Sequence, residues 1–244
     1  MKKLALISLA FLMLSTVRAQ DADQVGWISK FGFAGGFTPM WVIPNFEPLN
    51  TVLPNFGVEK FSTSGFVAYG GGGYAYLMFI ENVRIGGFGY GGSLNQKANV
   101  GGADKEVEYI LNSGAFTIEY TLPFIEGVAV SIGAMLGGGT QELKIYSNNS
   151  NFTWDGVWNE VSSNGAASNI SRTIQNDFFT VTPTLTLDVP LNRFMAFRIG
   201  TGYQFSFADE WTIENGKTLN NVPSDLNGDA FFIQTGLYFG LFAF

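Results

Sequence analysis

Every second residue is apolar through long stretches of this chain, and that period of two limits what it can fold into. A helix would repeat its apolar positions every 3.6 residues, whereas a strand repeats them every two. Eight stretches show the two-residue period, at 25–37, 65–80, 83–93, 107–121, 128–141, 178–189, 194–207 and 230–243. β-Branched and aromatic residues dominate them, and glycine is scattered throughout, which disfavours helix. After the first twenty residues no apolar run reaches the ~18 residues that a membrane-crossing helix needs. The sequence therefore predicts an all-β fold of eight antiparallel strands.

The two faces of these strands differ in an informative way. In the fifth, Val128, Val130, Ile132, Ala134 and Leu136 oppose Ala129, Ser131, Gly133, Met135 and Gly137. In the sixth, Thr180, Thr182, Thr184, Thr186 and Asp188 oppose Phe179, Val181, Leu185, Leu187 and Val189. In the seventh, Phe197, Ile199, Tyr203 and Phe205 oppose Ala196, Arg198, Gly200, Gly202, Gln204 and Ser206. One face is large and apolar; the other is small, polar and glycine-rich; most charges fall between strands. A soluble barrel would show the reverse, with apolar residues inside and charge outside. The pattern suits a closed barrel standing in lipid, where every backbone group is bonded internally. Short connections at 81–82, 122–127 and 190–193 alternate with long ones at 38–64, 94–106, 142–177 and 208–229. That alternation predicts an up-and-down barrel with an even strand count and both termini at the short-turn end.

The first twenty residues form a separate unit. Lys2 and Lys3 precede an apolar run at 4–14, and Val17-Arg18-Ala19 supplies a cleavage site. This reads as a secretory signal peptide over residues 1–19, leaving a barrel domain over 20–244. Losing Lys2, Lys3 and Arg18 from the 13 basic residues leaves 10 against 20 acidic ones, a net charge of −10. Such an acidic surface excludes nucleic acid as a partner. The chain has no Cys and no His, which removes disulfides, thiolate nucleophiles, a lipid-anchored Cys and the commonest general base. No cofactor and no enzymatic activity are expected. Glu106 and Glu108, two apart at a loop edge, read as a solvated rim rather than a catalytic pair.

On these features the sequence resembles the small bacterial outer-membrane β-barrels of the OmpA-transmembrane, OmpX and OmpW type. Tyr238, Phe242 and the final Phe244 share one phase, similar to the terminal aromatic signal read by the outer-membrane assembly machinery. The resemblance implies residence in the bacterial outer membrane, with membrane lipid and, during biogenesis, that machinery as partners. It also implies no enzyme, since the barrel enzymes of that membrane use His. The OmpW likeness implies the alternative of a narrow channel for small or hydrophobic solutes. Two features strain the simple pattern: Pro183 stands mid-strand, where a bulge is expected, and both faces of the last strand are apolar, which calls for a bulge or a wide aromatic girdle.

Eight strands enclose little more than side chains. Lys30, Glu119, Asp188 and Arg198 fall on inward faces near the short-turn end, predicting an ion-paired plug or a charged gate. Arg84 shares its phase with Phe88 and Tyr90 and is left out of that cluster. The glycines at 70–73, 86–92 and 137–139 either curve the wall beneath flanking aromatics or open lumen volume. Loop one holds Pro39, Pro44, Pro48 and Pro54, half of the eight prolines. It carries an apolar patch of Met40, Trp41, Val42, Ile43, Phe46 and Phe56, which must pack into the barrel mouth, meet lipid, or meet an extracellular ligand or protein. Loop three, with Trp154 and Trp158, is rich in Asn and Ser, and its sequons at Asn148, Asn151 and Asn169 read as chance. In loop four, Asp225, Asn227 and Asp229 match the start of a calcium loop, but Ala230 and Gly236 replace its later Gly and Glu. Asn-Gly turn chemistry explains that segment equally well. The sequence therefore predicts a non-enzymatic barrel with a structural or surface-loop binding role and a plugged lumen.

Overall fold

Eight long strands close into an antiparallel barrel in a computed structural model that describes residues 31–125, 127–149, 152–162 and 169–243. The signal peptide expected over residues 1–19, Lys30 and Phe244 lie outside the described residues. In chain order the elements are β1 (Phe31–Pro44), α1 (Glu47–Phe56), β2 (Phe66–Tyr76), β3 (Val83–Val100), β4 (Ala103–Thr121) and β5 (Ala129–Asn148). Then follow α2 (Trp154–Ser162), β6 (Ile170–Asn192), β7 (Met195–Ala208), the two-residue strands β8 (Thr212–Ile213) and β9 (Lys217–Thr218), and β10 (Ala230–Ala243). Each long strand pairs with its neighbour in sequence, β7 pairs with β10, and β10 pairs with β1 to complete the ring. The β8–β9 hairpin hangs on the edge of β6 through Ile174 and Gln175.

The outward faces of these strands carry the large apolar side chains. On β4 they are Phe116, Ile118 and Tyr120; on β10 they are Phe231, Ile233, Leu237, Phe239 and Leu241, all exposed. On β6 the outward positions run apolar from Leu191 to Phe179 and turn polar at Asp177, and β4 turns polar at Asn112. The result is a belt of exposed hydrocarbon around a closed ladder. Water penalises such a surface and lipid does not, so the belt is a membrane-facing wall.

Above the belt the strands do not stop. The stretch 94–106, expected to be a loop, is almost all strand, with β3 and β4 meeting at a tight turn on Gly101 and Gly102; the stretch 142–177 is strand at both ends, where β5 continues to Asn148 and β6 begins at Ile170. Their outward residues are polar there, including Lys97, Glu106, Glu142 and Lys144. Their inward residues stay apolar, with Val107, Tyr109, Leu111 and Leu143 buried. This is an ordinary amphipathic sheet in water, so a search for lipid-facing strands passes over it. The first strand also runs later than expected, over Phe31–Pro44, so loop one is shorter and holds the helix α1.

Pro183 causes no bulge. Its missing N–H falls on the β7 side, where the ladder lapses between Val181–Phe205 and Thr184–Gly202 with the register unchanged. The irregularity in β6 lies instead at Pro190–Asn192, next to the short turn. Pro39 makes the same kind of lapse between β1 and β10, between Phe37–Leu237 and Met40–Gln234. Nor does β10 contain a bulge: its inward Phe232 and Tyr238 are buried in the lumen, so both faces are apolar for different reasons.

Inward glycines lie beneath aromatic rings. A Cβ on Gly72 would stand 2.8 Å from Phe88 Cδ2, and one on Gly139 would stand 2.6 Å from Phe178 Cζ. The glycines therefore make room for rings that fill the barrel. At Gly36 a Cβ would run into the Leu237 carbonyl oxygen, whereas at outward Gly114 nothing lies within 4 Å. Gly36→Ala should cost about 1–3 kcal/mol, and Gly114→Ala should stay within about 0.5 kcal/mol. Urea unfolding of the refolded barrel in bilayers measures both.

Candidate functional site

Strand register builds a charge cluster near the short-turn end of the lumen. Arg84 on β3 stands directly across from Glu119 on β4, and Asp188 on β6 directly across from Arg198 on β7. Both pairs thus face inward near the short-turn end: Asp188–Arg198 lies beside the turn of its own β6–β7 hairpin, and Arg84–Glu119 lies at the end of β3–β4 opposite its Gly101-Gly102 turn. Arg84 then bridges the lumen: its Nε donates to Glu119 Oε2 at 2.5 Å and its Nη1 to Asp188 Oδ2 at 2.5 Å. Arg198 donates through Nε to Asp188 Oδ1 at 2.6 Å and through Nη2 to Asp188 Oδ2 at 2.8 Å, a two-pronged contact. Its Nη2 also lies 3.7 Å from Glu119 Oε2. Thr186 Oγ1 accepts from Arg84 Nη2 and donates to Glu119.

Both guanidiniums lie over tyrosine rings. Arg84 is 4.4 Å and Arg198 4.6 Å from the centre of Tyr74, and Arg198 is 4.5 Å from Tyr238. All four charged residues are buried, and Arg84 has no exposed surface. The cluster is electrically neutral, and its donors and acceptors face one another. None of its four charges is left unpaired.

The sequence expectation placed Glu119, Asp188 and Arg198 here, and the structure brings those three together. It also puts Arg84, which was left out, at their centre. Phe88 and Tyr90 share its phase because they too point inward. Counting register from a turn at Gly101-Gly102 would have set Arg84 opposite Glu119. Lys30 lies outside the described residues. Tyr238 serves the lumen as a platform for Arg198; the side chain of Phe242 and all of Phe244 lie outside the described residues.

The opposite mouth is closed by apolar packing. Met40, Trp41, Val42 and Ile43 are strand residues, not loop residues. Met40 and Val42 point inward and are buried, Trp41 joins the outward belt, and Ile43 is half-buried. The Pro44-Asn45-Phe46 repeat starts α1, with Asn45 Oδ1 accepting from the Glu47 N–H. The helix ends at Gly57, whose positive φ of 97° lets its N–H reach the carbonyls of Leu53 and Pro54. Leu49 and Leu53 turn into the barrel beside Phe46, whose ring centre lies 5.2 Å from Phe61 and 5.0 Å from Tyr109. Asn50 clips the returning chain, donating to the Phe61 carbonyl at 3.0 Å and accepting its N–H at 2.8 Å. Phe56 is half-buried beneath Lys105 Nζ, 4.9 Å from the ring centre.

A second segment reaches in from the β7–β10 connection. Trp211 and Leu226 are buried, and Trp211 Nε1 donates to the Leu226 carbonyl. Wall and segment are tied by Tyr90 to Gln204 to the Gly228 carbonyl, and by Tyr109 to Gln141 to Asn176 to the Asp209 carbonyl. Asp225, Asn227 and Asp229 line an open cleft of about 280 Å³ with Ile43 and Tyr203. Asp229 accepts from the Ser206 N–H, the Ser206 hydroxyl and Asn227 Nδ2, while Asn227 Oδ1 accepts from the Asp229 N–H. These bonds are those of a turn braced against β7. Among the described residues no group of three His, Cys, Asp or Glu side chains is arranged to hold a metal ion.

Three substitutions test the two closures. Arg84→Met should cost about 3–5 kcal/mol, because it leaves the buried Glu119 with only the Thr186 hydroxyl and the 3.7 Å contact to Arg198, and takes one of the two guanidiniums from Asp188. Arg84→Lys should not restore the loss, since one ammonium cannot span both carboxylates. Asn50→Ala should cost about 1–3 kcal/mol and expose residues 45–62 to protease. Urea unfolding reads the first pair; limited proteolysis with mass spectrometry reads the third.

No protein-family model matches the chain, and no curated protein matches it. Among solved structures it is similar to the attachment invasion locus protein Ail of Yersinia pestis, solved with the heparin analogue sucrose octasulfate. That match has 11% identity and a TM-score of 0.40, covering 88% of this chain and 99% of Ail. It is also similar to a major outer membrane protein from Thermus thermophilus, at 7% identity and a TM-score of 0.46, with 86% and 99% covered. A third is the outer membrane protein OprG from Pseudomonas aeruginosa, at 13% identity and a TM-score of 0.42, with 89% and 98% covered.

Proposed function

We propose that this protein is a non-enzymatic barrel of the bacterial outer membrane that is closed to steady flow and acts through its outer surface. The observation that carries the reading is the lumen-spanning contact of Arg84 with Glu119 and Asp188, 2.5 Å to each. A solute passing the barrel would have to break buried, fully paired charges. Beyond that floor, Phe46, Phe61 and the helix α1 occupy the mouth.

A closed lumen moves the activity to what projects beyond the membrane. Four strands extend past the apolar belt and form a stiff lip with polar outer faces. Lys97 and Glu106 pair across its β3–β4 arm at 2.9 Å. At the end of the β5–β6 arm, α2 presents Trp154 and Trp158 edge to face, 5.8 Å apart and exposed. Exposed aromatics held on a rigid support are typical of binding surfaces. The partner in this reading is an extracellular ligand or protein.

Planar-bilayer recording of the purified, refolded barrel tests the closure. The expected trace is silent for protein with β-rich circular dichroism, and it stays silent when the β5–β6 arm is shortened. Discrete, reproducible conductance steps from the native barrel would overturn the plugged reading in favour of a narrow channel.

A further inference from the structure

The short-turn end of the barrel is as apolar at its tips as the belt is at its centre. The β2–β3 turn presents Met78 and Phe79, exposed at 81% and 80%; the β4–β5 turn presents Phe124, exposed at 76%. The β6–β7 turn presents Phe194, also exposed. All three strand-to-strand turns at this end thus hold a large apolar side chain away from the protein. The β3–β4 tip at the other end is built differently: it is Gly101-Gly102, flanked by Asn99 and Asp104, which bond each other. A tip that meets only water is made of the second kind of residue.

We propose that the short-turn rim is seated in lipid, at the boundary between acyl chains and headgroups of the inner leaflet. This rests on the membrane reading above. The rim is continuous with the belt: Tyr120 near the end of β4 leads to Phe124 in the turn, and Leu191 near the end of β6 leads to Phe194 in the turn. Height agrees with this placement. From Phe179 to Leu191 the outward face of β6 is apolar over about 40 Å of strand at ~3.3 Å per residue. Tilted as barrel strands are, that is about 30 Å, somewhat more than the ~25 Å apolar band usual for such barrels. The residues beyond Leu191 therefore fall at headgroup depth, where aromatic side chains are favoured. Glu81 and Arg193, the charged residues of these turns among the described residues, are exposed.

The chain has no Cys, so single cysteines can be placed and labelled without background. Nitroxide labels at Phe79→Cys, Phe124→Cys and Phe194→Cys are compared with Leu185→Cys in the belt and Asn99→Cys on the lip. The barrel is refolded into phosphatidylcholine–phosphatidylglycerol vesicles, with a water-soluble nickel chelate on both sides of the membrane. The three turn labels should collide with oxygen in preference to nickel several-fold more than the label at 99, and less than the label at 185. Turn labels that meet nickel as freely as the label at 99, while 185 stays shielded, would overturn the proposal and leave the rim facing water, free for a soluble partner. Nickel access at 185 itself would overturn the membrane reading, and this inference with it.

Discussion

β1 and β10 meet in twelve residue pairs, from Phe31–Ala243 to Pro44–Ala230, and the rest of the molecule depends on that closure. A strand edge left open in hydrocarbon would expose a row of unbonded N–H and C=O groups, which lipid cannot satisfy. Closing the ring removes the edge and fixes the number of strands, their antiparallel order and the narrow lumen. It also explains where proline is tolerated. Pro39 and Pro183 each cost the ladder one short lapse, on the β10 and β7 sides respectively, and the register on either side holds. The barrel absorbs a missing donor because neighbouring pairs keep both strands in place.

Closure produces two surfaces with opposite demands. Outside, any large apolar side chain serves, and the wall is loosely specified. Inside, the space is fixed, so every ring needs a hollow and every charge a partner. Gly72 and Gly139 supply hollows for Phe88 and Phe178. Thr186 and the paired guanidiniums satisfy Glu119 and Asp188. Towards the mouth the filling becomes apolar, because α1 and the segment around Trp211 fold back into it. The lumen is thus packed as a protein core, polar at one end and apolar at the other.

Much of this was readable from alternation alone. Strand number, antiparallel order and the inward parity of Glu119, Asp188 and Arg198 follow once one face is assigned to lipid. What escaped reading had a common cause. The rule that inward means small and polar excluded Arg84, since its phase holds Phe88 and Tyr90, yet a packed lumen takes rings as readily as threonines. The rule that strands end where the apolar belt ends turned 94–106 and 142–177 into loops, although Leu94, Val107, Tyr109 and Leu143 keep the period of two above the membrane. The apolar patch of loop one was noticed as a patch, but four of its six residues belong to β1. Its continuous apolar run hid the point where the outward Trp41 and the inward Met40 and Val42 part company.

The charge cluster adds a reason for the barrel to have only one register. Burying four charges is a poor route to stability, since well-packed apolar residues serve as well or better. Its effect is on alternatives. A slip of one residue between β3 and β4 would carry Arg84 from the lumen to the lipid face and leave Glu119 without its donor. The same slip between β6 and β7 would separate Asp188 from Arg198. Apolar residues tolerate either face of this wall, as β10 shows with Phe232 inside and Ile233 outside. Charges do not. Because each hairpin holds its own pair, beside the turn in β6–β7 and at the far end from Gly101-Gly102 in β3–β4, register is checked within each hairpin first. Only then does the reach of Arg84 to Asp188 require the two hairpins to face each other across a closed ring.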